Sequence, residues 1–273
     1  MAQRYSGQDI SIYTVDGIAL APLGTNFTFS LTDDVQDAGL ISRLGKNSQP
    51  VKTSGELAID LNSVITGSQR TSHINVTAFT IGGTSYLDEL SSFSLSGSYD
   101  QVMQSGIGEK WTRPQVVAKD YQITVVLTLS TGDALILAAM MDGANFADSD
   151  QTVSITVNSV VITIPMNIFS YSLAAARYDL QKLTLQFNGA DPGAGDYPTA
   201  PTSTSTIFQK ALNAPTAEMA FSFQNALAAN TGGINVSGTC VFKSFSFEVS
   251  DGNLVAENYT FATYGTVTVV ASS

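Results

Sequence analysis

The residues best suited to chemistry are few in this sequence, and their spacing defeats most reactions they could serve. The single histidine, His73, closes the polar run TGSQRTSH. A lone imidazole makes no metal cluster, and no Ser-His-Asp constellation is recognisable around it. His73 therefore reads as solvated or structural. The single cysteine, Cys240, lies in the β-like run GTCVF, where packing is a better account than nucleophilicity. Asp142, Asn145, Asp148 and Asp150 form an oxygen-rich loop of the kind calcium favours. The loop lacks the EF-hand order and its closing Glu, so it reads as a turn that ends a helix. Gly106-Ile107-Gly108 has neither the third glycine nor the following helix of a phosphate cradle. The sequon Asn75-Val76-Thr77 means little without a secretion signal. No catalytic, cofactor-binding or metal-binding residue is expected, and the chain does not read as an enzyme.

Composition points the same way. Of 273 residues, 44% are hydrophobic but only 13% charged, against a usual ~25%. The chain is rich in Ser, Thr and Gly, as strand-and-turn proteins are. A net charge of −11 and a pI near 4.3 oppose a nucleic-acid grip, which needs basic patches against phosphate. One cysteine permits no intrachain disulfide. The polar N-terminus lacks a signal-peptide core, and no apolar run nears the ~20 residues of a membrane helix. The expected compartment is the cytosol, with no membrane partner.

The elements fall into two similar sets. Phe27, Phe29 and Leu31 alternate as a strand, and Leu57, Ile59 and Leu61 alternate as its return. Thr32 to Pro50 lies between them with no helix or strand period. Compact domains rarely carry so long a loop without a use for it. The pattern recurs at Phe93 to Leu95, with an excursion over Ser96 to Gln115 and a return through Tyr121, Ile123, Val125, Leu127 and Leu129. The outgoing strands are 66 residues apart (27 to 93). Before each set comes a hairpin signal, Asp16-Gly17 and Gly82-Gly83. Later segments echo too: Ser244 to Phe247 follows Ser170 to Leu173 by 74 residues, and Tyr259 to Phe261 reads as following Leu183 to Leu185 by 76.

Helices are expected at Thr131–Met141, capped by Ser130 or Thr131 and ended by Gly143, and at Thr206–Asn213. Strands are expected at Ile74–Ile81, as a hairpin over Thr152–Ile164, and then at Ile168–Leu173 and Leu183–Phe187. Met219–Phe223 alternates as a strand, although 217–230 also suits a helix. The order of halves is N1, N2, C2, C1. The economical reading inserts a second domain, 74–190, into a first made of 1–73 plus 205–273. A Pro/Gly/Ser-rich linker occupies 191–204. A side-by-side arrangement with swapped strands is the rival. The fold class is mainly β, as two copies of one β-sandwich or barrel unit, each with a short helix and a long hairpin arm.

A unit of this kind resembles the tail-tube fold of long-tailed bacteriophages. The early Asp-Gly turn, the Phe-x-Phe strand, the long charged arm and the final Gly265-Thr-Val-Thr-Val strand carry the resemblance, over almost the whole chain twice. It implies a virion structural protein assembled in the host cytoplasm. Rings stack into a hollow tube for DNA ejection, and the arms reach the neighbouring ring. Two folds per chain imply a homotrimeric ring of pseudo-sixfold symmetry, with other tail proteins as further partners. A hub or distal-tail ring is the nearest alternative, and a cell-surface or carbohydrate-binding β protein the alternative of another class.

On that reading the arm candidates are Asp33, Asp34, Asp37, Arg43 and Lys46, and then Asp100, Glu109, Lys110, Trp111 and Arg113. Their mixed charge suits setting register between subunits. A disordered flap is the plainer alternative for the arms, and local packing for Trp111. Alternate residues of the return strands, Glu56, Ala58 and Asp60 with Gln122, Thr124, Val126 and Thr128, would face the lumen. There an acidic lining repels phosphate and DNA passes without specific binding. The alternative is an ordinary solvated sheet face.

Overall fold

The computed structural model describes residues 10–20, 24–37, 48–62, 75–107, 109–129, 151–157, 159–175, 180–189, 206–225 and 233–272. Among them are fourteen strands and one helix. The strands are β1 (Ile10–Val15), β2 (Ile18–Ala19), β3 (Gly24–Asp37), β4 (Ser48–Asn62), β5 (Val76–Ile81), β6 (Thr84–Ser85), β7 (Leu90–Gln104) and β8 (Arg113–Leu129). They continue as β9 (Gln151–Val157), β10 (Val160–Ala174), β11 (Gln181–Gly189), β12 (Met219–Asn225), β13 (Gly233–Ser250) and β14 (Ala256–Ser272), with helix α1 (Ile207–Asn213) before β12. The protein is mainly β, and every strand pairing is antiparallel.

The first hairpin shows why the sequence folds this way. Asp16 and Gly17 take φ of 50° and 76°, and Gly82 and Gly83 take 57° and 83°. A two-residue turn with both centres at positive φ matches the twist of its flanking strands. Asp and Gly are among the residues that adopt it at little steric cost.

The neighbours then follow one order twice. One series runs β2-β1-β12-β13-β14-β4-β3 and the other β6-β5-β9-β10-β11-β8-β7. The registers also repeat. Phe27 lies opposite Ile59, and Phe93 opposite Val125, a shift of 66 on both strands (27 to 93, 59 to 125). Bulges fall at Gly24/Asn26 and Asp34/Val35 in the first series and at Leu90/Ser92 and Asp100/Gln101 in the second, again 66 apart. Phe242 faces Phe261 as Ile168 faces Phe187, a shift of 74, and the bulges at Phe242/Ser244 and Ile168/Ser170 keep that shift. Bulges bend the strand and raise its twist. Each series thereby folds over on itself into two layers: Phe27 of β3 stacks on Phe223 of β12 with centroids 4.1 Å apart, and Phe79 of β5 meets Phe93 of β7 at 5.9 Å.

The expected spacing of 76 for the last strand is corrected by these registers. Tyr259 lies opposite Ile59 and Leu185 opposite Val125, so Tyr259 matches Leu185 and the shift is 74. A period-two pattern matches itself after a slip of two residues, and hydrogen bonding removes that ambiguity.

The strands also run further than expected. β3 and β7 continue into both excursions, to Asp37 and Gln104, and the returns start at Ser48 and Arg113. On the second arm Val102, Met103 and Gln104 are all exposed, so consecutive residues meet water and the strand leaves no period in the sequence. Val160 to Ala174 is one strand, not two, although it contains Pro165. Among the described residues β11 pairs only from Met166 onward, so Pro165 has a partner strand on one side alone there, a position proline tolerates. The helix expected at 131–141, the polar run at 66–73 and the linker at 191–204 lie outside the described residues.

The two series meet where Ser244–Ser250 of β13 pairs with Ser92–Ser98 of β7. α1 covers this junction. Thr206 caps it, accepting from the Gln209 N–H at 3.2 Å while the Gln209 side chain accepts from the Thr206 N–H at 3.3 Å. This reciprocal box satisfies two otherwise orphaned donors. Phe208 then packs on Phe247 and Phe245 at 5.0 and 6.0 Å between centroids. The Tyr99 hydroxyl of β7 donates to the Ala211 carbonyl at 2.6 Å, and Lys210 pairs with Asp16 of the first turn.

Candidate functional site

Eight strands, β3-β4-β14-β13-β7-β8-β11-β10, lie side by side across both series. Their alternation divides the residues cleanly. Leu57, Ile59, Leu61, Ile123, Val125, Leu127, Phe245 and Phe247 point into the core and are buried. The intervening residues form the other face. Glu56 and Asp60 lie there half-buried, with Gln122 exposed and Thr124 half-buried on β8.

The registers place Asn26, Asp60, Asn258, Ser246, Ser96 and Gln122 in one row across six strands. Beside it run Thr28, Ala58, Thr260, Ser244, Ser98 and Asp120. Asn26 Nδ2 donates to Asp60 Oδ2 at 3.1 Å, and Asn258 Nδ2 to Ser246 Oγ at 3.0 Å. Lys243 pairs with Glu56. At the centre lies an open depression of about 430 Å³, lined by Ser96, Ser98, Asp120, Gln122, Ser244, Ser246, Asn258 and Thr260, with Gly97 and Phe245 between them. Carboxylates on this face come from Glu56, Asp60, Asp120 and Glu248, and ammonium groups from Lys182 and Lys243. The surface is small, polar and acid-leaning, without the convergent nucleophile and base that covalent chemistry requires.

Sequence reasoning named Glu56, Ala58, Asp60, Gln122 and Thr124 of this face and missed the serines of β7 and β13. Their signal was the strict alternation in SFSLSGSYD and SFSFEVS, where every second place is serine except Asp100 and Glu248. Only the pairing of β13 with β7 shows that the two serine sets adjoin.

The arms leave this sheet at one end. Asp33, Asp34 and Asp37 lie on β3, while Arg43 and Lys46 are outside the described residues. The second arm lies against the base of the first. The Thr53 N–H donates to the Lys110 carbonyl at 2.9 Å, and the Thr112 N–H to the Thr53 carbonyl at 3.3 Å. Lys52 reaches Ser105 Oγ. Trp111 bridges Thr53 and packs half-buried on the core, with the Lys110 ammonium 6.0 Å from its ring centroid. Arg113 lies 3.5 Å from Glu109 and 5.8 Å from the Tyr264 ring. Asp100 stands exposed at the bulge. Apolar side chains are exposed on this arm at Val102, Met103, Ile107 and Val117.

Cys240 is buried, and burial pushes its thiol up to about 12. His73 and the 142–150 loop lie outside the described residues; among the described residues no cluster of three metal-ligating side chains occurs. The chain matches no family model and no curated protein sequence.

Proposed function

We propose that this chain is a structural subunit of a phage tail tube, made of two copies of one tube unit. The copies are 74–190 and the discontinuous 1–73 plus 205–273. Its work is to polymerise as stacked rings around a conduit for DNA, as a homotrimer of pseudo-sixfold symmetry, with no catalytic step. The observation that carries the reading is the single strand order and register, bulges included, that occurs twice and joins edge to edge. A β unit with open edges is an aggregation hazard unless they are paired. Head-to-tail pairing around a closed ring removes the hazard, and repeating a contact between rings makes a filament.

Two further features fit. The eight-strand face is lined with small polar and acidic groups, as a passage for polyanionic DNA requires. The second arm exposes Val102, Met103, Ile107 and Val117, apolar groups that a neighbouring ring would cover.

Negative-stain microscopy of the purified chain tests the proposal. Filaments of uniform width are expected. Discrete rings that never stack would favour a hub or distal-tail ring instead. Monomers at every concentration would refute both.

A further inference from the structure

The junction between β13 and β7 has an unfilled counterpart. Shifting β13 back by 74 gives Ser170–Ala174 of β10 (244 to 170), and shifting β7 back by 66 gives Thr28–Thr32 of β3 (98 to 32). These segments end the eight-strand sheet on opposite sides. β3 pairs with β4 alone, and beyond Met166 β10 pairs with β11 alone, among the described residues. We propose that β10 of one copy pairs antiparallel with β3 of the next, in the register of the internal junction. Ser172 then faces Ser30, as Ser246 faces Ser96.

The side chains fit that partner with one difference: Leu31 stands where the internal junction has Gly97, so the Tyr171 ring must take a rotamer other than that of Phe245. Within the molecule Phe247 lies opposite Leu95 and Phe245 opposite Gly97, all on the core side. Their counterparts are Leu173 with Phe29 and Tyr171 with Leu31. The first pair is the same Phe–Leu couple with its members exchanged. Tyr171, Leu173 and Leu31 are 52%, 49% and 45% exposed, although the residues they correspond to are buried. On the opposite face Ser170 and Ser172 would meet Ser30 and Thr32, so the polar lining crosses the seam unbroken. Exposed aromatic and aliphatic groups beside an unpaired strand edge are a template for strand addition. The occupant that satisfies both faces is a second copy of this chain.

The seam rests on the assembly reading above, and cysteine cross-linking separates the two. Ser172→Cys and Ser30→Cys are introduced together, and the purified protein is oxidised and run without reductant. Buried Cys240 is not expected to interfere. An interchain ladder ending in a closed species is expected from the double variant and from neither single one. Ser246→Cys with Ser96→Cys, facing each other within one chain, controls for geometry and should form no ladder. Rings or tubes seen by microscopy without the Ser172–Ser30 link would overturn the seam and leave the tube reading standing. The link in rings that never stack would support the seam and sink the tube. A chain that stays monomeric and unlinked would end both.

Discussion

Gly97 shows how much one absent methyl group decides at the junction. A Cβ there would sit 2.2 Å from Cε1 of Phe245 and within 3.0 Å of two more ring atoms. That ring cannot swing away, because Tyr99, Tyr121 and Phe208 hem it at centroid distances of 6.0 to 6.3 Å. Alanine is the better strand former, but overpacking a closed core costs about 1–3 kcal/mol and outweighs that preference. Gly97→Ala is therefore expected to lower stability by about that amount in denaturant titration. Adding Phe245→Leu should recover part of the loss; two losses that simply add would show that the ring is not the obstacle. The glycine was visible in the sequence as the fourth residue of SLSGS, but the phenylalanine that requires it lies 148 residues on (97 to 245). No local pattern links them.

At the scale of elements, α1 is tied to the sheet by a phenol. Tyr99 donates to the carbonyl of Ala211, and burial, with Tyr121 close by, raises its ionisation far above the usual 10.0. Tyr259, fully buried and donating to Glu257 at 2.5 Å, is raised too, first by burial and then by that carboxylate. Both fold as neutral phenols. Their stabilisation is complete below the unfolded value near 10 and is lost as pH rises above it. Because the folded values lie far higher, the loss continues at about 1.4 kcal/mol per pH unit for each tyrosine. Denaturant midpoints should hold below pH 9 and fall steeply above 10. Tyr99→Phe should flatten that alkaline slope while lowering stability at neutral pH; an unchanged slope would show that Tyr99 titrates normally.

This helix, the two glycine turns and the apolar faces of β3, β4, β7 and β8 were legible because caps, turns and alternation are local signals. The reach of the arm strands and the continuity of β10 through Pro165 were not, since pairing on one side leaves a weak mark in sequence.

For the whole molecule, what matters is the sign of the charge along the polar face. The chain carries a net charge of −11, and Asp120 and Gln122 line the depression at the centre of that face. If the face lines a conduit, phosphate should pass it without binding. A ring repeats each side chain in every subunit, so one substitution places several charges around one circumference. Asp120→Lys with Gln122→Lys turns an acidic band into a basic one at positions that make no core contact, so folding and assembly should be little changed. Assembled wild-type protein is expected to retain no duplex DNA at low salt. The doubly substituted tubes should retain it, with an affinity that falls steeply as salt is raised, the mark of counterion release. Sedimentation of labelled DNA with the tubes measures this. Binding that is the same before and after substitution would place the face away from the conduit. Equal binding to unassembled subunits would show that the new lysines act as an ordinary basic patch, with no enclosed passage needed.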